Sequence, residues 1–139
     1  MQSNPTDLDA LIHRLQTTAI AYKDRLAERI VRLSAAFAED YDGRTLSTRS
    51  LAGMVDFLES SPSSSYPDLT ATPAGDAYAE WHGPQGRRLT IEFLDSGDAR
   101  YLLFRPNPKH PQRIDRLTGK QLSQLSQLPY QLLAAALMQ

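Results

Sequence analysis

From Ala77 to Phe104 the chain reads AYAEWHGPQGRRLTIEFLDSGDARYLLF, three apolar runs separated by two glycine-bearing turns. Successive side chains of a strand point to opposite faces, so alternation at period two marks strands. Ala77, Ala79 and Trp81 fall on one face of the strand predicted at Ala77–His82. Leu89, Ile91 and Phe93 fall together in the strand predicted at Arg88–Leu94. Gly83-Pro84-Gln85-Gly86 and Asp95-Ser96-Gly97-Asp98 supply the turns, and Ala99–Phe104 is the next strand. A short strand at Leu69–Thr72 precedes them, joined through the turn Pro73-Ala74-Gly75-Asp76. The expectation is a four-stranded antiparallel meander with one apolar face turned to a core. The other face would carry Tyr78, Glu80, His82, Arg88, Thr90 and Glu92. Such a polar face suits water, or a partner, on one side of an antiparallel sheet.

Helical sequence flanks this region. No proline or glycine lies between Thr6 and Asp42, and apolar or small residues recur at three- and four-residue intervals from Leu8 to Tyr41. One continuous helix over that span would be about 50 Å long, too long for a compact domain of this size. Either it breaks near Thr17-Thr18 or its N-terminal half projects and packs on a second copy or another protein. The projecting helix is the favoured expectation, and it admits a homo-oligomer. Gly43 is a natural stop. Ser47 is set to cap a second helix, Thr48–Glu59, whose buried stripe is Leu51, Met54, Val55 and Leu58. The serine-rich stretch 60–65 reads as a connector.

After the sheet, prolines at 106, 108 and 111 predict an irregular loop over 106–117. Thr118 is a candidate cap for C-terminal helices over 118–139, carrying Leu122, Leu125 and Leu128 and then Leu132, Leu133, Ala136 and Leu137. The expected whole is one α+β domain over residues 1–139, with N-terminal helices (1–60), a meander (67–105), a basic loop and C-terminal helices.

Composition excludes several chemistries. With 139 residues and 41% hydrophobic content the chain can bury a real core. It has no cysteine, so disulfides and thiolate metal sites are ruled out. The longest apolar run, Leu132–Met138, is far short of a membrane span. The N-terminus is polar and acidic, unlike a secretory signal, so the expected location is cytoplasmic. No G-x-S-x-G elbow, G-x-G-x-x-G turn or Walker loop is present, and no catalytic residue, cofactor or metal is expected. A metal or acid/base site would have to come from His82, Glu80 and Glu92 on the polar face, where cross-strand ion pairing is the simpler reading.

Charge is distributed unevenly. Residues 1–99 hold nine basic and fifteen acidic side chains, net −6; residues 100–139 hold six basic and one acidic, net +5. Arg105, Lys109, His110, Arg113 and Arg116 crowd into twelve residues opposed only by Asp115. A cationic loop of this kind can follow a phosphate backbone, or it can meet carboxylates on an acidic protein surface.

The segment from Pro67 to Phe104 combines a proline before a short strand, Gly75, a strand ending in Glu80-Trp81, and two further glycine turns. In this it resembles small, poorly characterised bacterial proteins built from leading helices and a β-meander, some of them thought to be antitoxin-like. The resemblance implies a non-enzymatic interaction module, antitoxin-like or an accessory regulator, with another protein as partner. The alternative is a small nucleic-acid-associated protein that uses the basic loop.

Overall fold

The structure, a computed structural model, describes residues 5–60 and 65–119. Three helices, α1 (Pro5–Gln16), α2 (Lys23–Asp40) and α3 (Thr48–Glu59), precede a five-stranded antiparallel sheet. Its strands are β1 (Asp68–Ala71), β2 (Ala77–His82), β3 (Arg88–Phe93), β4 (Ala99–Pro106) and β5 (Ile114–Gly119), in spatial order 1-2-3-4-5. The α+β class and the antiparallel meander agree with the sequence reading. The strand count does not: there are five, not four.

The continuous helix expected between Thr6 and Asp42 is broken at Thr17–Tyr22. Thr17 and Thr18 turn their hydroxyls back onto the carbonyls of Arg14 and Leu15, at 2.7 and 2.8 Å. Their amides donate to the same two carbonyls, closing the helix with tight i→i−3 bonds. Local bonding of this kind competes with the helical ladder. The chain reverses and buries Ile20 at the corner, so α1 lies on α2 and α3. The apolar stripe Leu11, Leu15, Leu26, Ile30, Leu33 and Phe37 is thus satisfied within one chain. The length mismatch that argued for a projecting, oligomer-forming helix is removed. The hairpin is held at its far side by Arg14, which reaches Asp56 and Glu59 of α3.

Helix α3 begins as expected, with Ser47 Oγ accepting from the Ser50 amide at 3.0 Å. Ser50 is fully buried and still satisfied: its hydroxyl donates to the Phe93 carbonyl and accepts from the Ala77 amide. Ser47 adds a bond to Asp95 Oδ1 at 2.5 Å, and its amide donates to the Gly75 carbonyl. The first turn of α3 is thereby stitched to the ends of β2 and β3. Phe57, one turn from the C-terminus of α3, packs on Trp81 and Phe93 with ring centroids 6.1 and 6.0 Å apart.

Register sets the two faces. Leu69, Ala79, Ile91 and Tyr101 form one cross-strand row, and Trp81, Leu89, Leu103 and Leu117 form the next. These rows face the helices, and Trp81 is only 2% exposed. Its indole N–H donates to the Ser65 carbonyl at 2.8 Å. Helices and sheet share one hydrophobic core.

The loop expected over 106–117 is shorter than predicted. Prolines 106, 108 and 111 confine the irregular backbone to 107–113, and the next six residues pair with β4 from Tyr101↔Gly119 to Pro106↔Ile114. Thr118 therefore lies in a strand and does not cap a helix. The helices expected farther along, from residue 120 onward, lie outside the described residues. Gly119 has a definite role opposite Tyr101, because a Cβ there would sit 2.1 Å from the tyrosine ring. Glycine leaves the space on the edge strand that the Tyr101 ring occupies.

Two substitutions test this packing. Trp81→Ala is expected to cost about 3–5 kcal/mol, as a large-to-small core change does. Gly119→Ala is expected to cost about 1–3 kcal/mol by displacing Tyr101. Chemical denaturation of each variant checks both values.

Candidate functional site

The face of the sheet away from the helices carries three cross-strand rows. Tyr78, Glu92 and Arg100 form one; Asp68, Glu80, Thr90, Leu102 and Thr118 the second; His82, Arg88, Phe104 and Arg116 the third. Tyr78, Glu80, His82, Arg88 and Glu92 are thus brought onto one surface, as the alternation implied. Their charges engage one another. Glu92 takes a 3.1 Å contact from Arg100. Glu80 lies 3.2 Å from His82 Nε2 and 3.7 Å from Arg88 Nε. The Arg88 guanidinium stacks over Phe104 at 4.7 Å, a cation–π contact.

Glu92 is separated from the corner that could hold a metal. The three donors that converge are Asp68, Glu80 and His82, with ligand atoms within 4.8 Å of one another. Asp68 comes from β1, directly opposite Glu80. Sequence spacing could not find it, because the register between β1 and β2 is what delivers it.

The five residues of the basic segment do not form one patch. Lys109, His110 and Arg113 are exposed at the tip of the β4–β5 hairpin. Asn107 organises that tip: its Oδ1 accepts from the amides of Lys109 and His110, and its amide donates to the Arg113 carbonyl. Arg116 lies on the open face beside Phe104. Arg105 has the opposite parity, on the face of Leu103, and pairs in register with Asp115. Asp115 also accepts from Asn107 Nδ2 at 2.9 Å and lies 3.9 Å from Arg113. It anchors the base of the loop and offsets part of its charge.

An antiparallel meander places alternate turns at opposite ends. The turn between β2 and β3 and the β4–β5 hairpin tip share one end, so Arg87 and Arg88 join Lys109, Arg113 and Arg116 there. A Cβ on Gly86 would lie 3.0 Å from Ile114, which shows how closely the two hairpins approach. The opposite end collects Asp76, Glu92, Asp95 and Asp98, with Arg100 alongside. The charge asymmetry of the sequence becomes a sheet with one basic and one acidic end.

At the acidic end, Asp76 is buried and its carboxyl is held above the usual 3.8. Burial is the main cause, followed by repulsion from Glu92 and Asp95; a bond from the Asp95 amide and the Arg100 charge act in the other direction. Between its ordinary and raised values the native state binds more protons than the unfolded chain, so this group's contribution to stability falls as pH rises through that window. Asp76→Asn is expected to raise the melting temperature at neutral pH, with the gain shrinking as pH falls through the window between the raised value and 3.8 and essentially gone below 3.8. Thermal melts of both proteins across pH check it.

Among the described residues no helix is long and apolar enough to cross a membrane. No protein family, curated protein or solved structure matches this chain.

Proposed function

We propose that the protein is a non-enzymatic interaction module that docks an acidic protein surface on the basic end of its open sheet face. The observation carrying this reading is the meeting of two hairpins, which gathers Arg87, Arg88, Lys109, Arg113 and Arg116 beside a face on which none of the described helices packs. Arginine is suited to that task, because its planar fork matches a carboxylate with two parallel hydrogen bonds. Arg88 is held in place by Phe104, so less side-chain freedom is lost when a partner arrives. An antitoxin-like or accessory regulatory role, in a bacterial cytoplasm, is the setting such a module fits.

The non-catalytic part of the proposal is supported by the way the polar groups are used. Glu92 is engaged by Arg100, and Glu80 by His82 and Arg88, as cross-strand surface pairs commonly are. The nucleic-acid alternative has less support. Binding of single strands relies on aromatic platforms for base stacking, and Phe104 at this end lies beneath the Arg88 guanidinium.

The test compares a glutamate-rich peptide with a single-stranded oligonucleotide of equal charge, titrated at low salt and followed by backbone amide shifts. The expected result is saturable peptide binding, with shifts on β3, β4 and the hairpin tip. It should weaken as salt is added and fall at least tenfold in Arg88→Ala/Arg116→Ala. Binding of the oligonucleotide alone, or of neither probe, contradicts the proposal.

A further inference from the structure

A second cationic site lies away from the open face, in a groove of about 470 Å³ between α2 and the edge strand β1. Arg25, Arg29 and Arg32 occupy positions i, i+4 and i+7 of α2 and line it from one side; Tyr66 and Leu69 line it from the other. Helix periodicity puts these three guanidiniums on one face.

What distinguishes this groove is how the arginines are held. Arg29 donates through Nε and Nη2 to the Leu69 carbonyl, at 3.2 and 2.8 Å. That contact covers an outward-facing carbonyl on an otherwise open sheet edge. The Arg25 guanidinium carbon lies over the Tyr66 ring at 3.9 Å, and Tyr66 is itself braced edge-on by Tyr22 at 5.3 Å. Among the described residues neither Arg25 nor Arg29 pairs with a carboxylate. Both are fixed by uncharged partners, so their positive charge is positioned but not neutralised. The groove contains two carboxylates. Glu28 is taken by Arg32 at 3.0 Å, and Asp68 sits by strand parity with Glu80 on the open face.

We infer that this groove binds a small organic anion, a phosphomonoester, with its phosphate between Arg25 and Arg29. Preorganised guanidiniums bind a tetrahedral oxyanion with little loss of side-chain freedom. The volume falls within the range of small-ligand pockets, about 300–1,000 Å³, and so has room for an organic body beyond the phosphate. The site is independent of the protein-docking proposal: it uses helix α2 and the edge strand β1, and no residue of the hairpin end.

The test titrates glycerol phosphate, inorganic phosphate and citrate into the full chain, following amide shifts and calorimetric heats. The expected result is saturable binding of glycerol phosphate, tighter than that of inorganic phosphate, with shifts at Arg25, Arg29 and Tyr66–Leu69. Arg25→Gln should weaken it at least tenfold, Arg25→Lys less, and Arg116→Ala should leave it unchanged. Arg29→Gln also removes the cover of the sheet edge, so Arg25, which is exposed, is the cleaner variant. Any of five results overturns the inference: no saturable binding, inorganic phosphate bound as tightly as glycerol phosphate, citrate preferred over both phosphates, binding that survives Arg25→Gln, or binding that maps to the hairpin tip.

Discussion

Everything in this fold follows from the burial of one face of the sheet beneath the helices. Alternation along β2, β3 and β4 places Trp81, Leu89, Ile91, Phe93 and Leu103 on the same side, each at most 2% exposed. Burying that side supplies the main favourable term, and the helices pack against it. Ser50 makes the junction at α3 specific, bonding the Phe93 carbonyl and the Ala77 amide from within the core. With the described helices committed to the apolar side, the second face of the sheet carries the polar rows.

The same topology sorts the charges. A meander sends alternate turns to opposite ends, so residues far apart in the chain, such as Gly86 and Ile114, become neighbours, and so do Asp76 and Asp95. The net charge of −1 conceals this separation. A field with two poles can orient an approaching partner before contact and raise its rate of association. The α2–β1 groove adds a third charged feature of a different kind. There the guanidiniums are positioned by a carbonyl and an aromatic ring, not by carboxylates.

Much of this was legible in the residues, and the misses have physical reasons. Alternation around Trp81 correctly assigned both faces of the central strands, and Ser47 correctly marked the start of α3. The break at Thr17-Thr18 was one of two readings, because a 3-4-4 apolar spacing persists on either side of the corner and only the threonine hydroxyls end the ladder. Strand β5 was hidden by the prolines that precede it, although Ile114, Arg116 and Thr118 already alternate with Asp115 and Leu117. Asp68, Arg25 and Arg29 were invisible as site residues. Their significance depends on strand register and on the docking of a helix against an edge, neither of which leaves a local trace.

The central claim is that the described helices seal one face of the sheet and that none of them packs on the other. Acrylamide quenching of tryptophan fluorescence tests it directly, since Trp81 is the only tryptophan in the chain. The account predicts that Trp81 in the native protein is strongly shielded. A tryptophan placed on the opposite face, by Tyr78→Trp in a Trp81→Phe background, should be quenched several times more readily. Equal quenching at the two positions, or a more accessible Trp81, would contradict it.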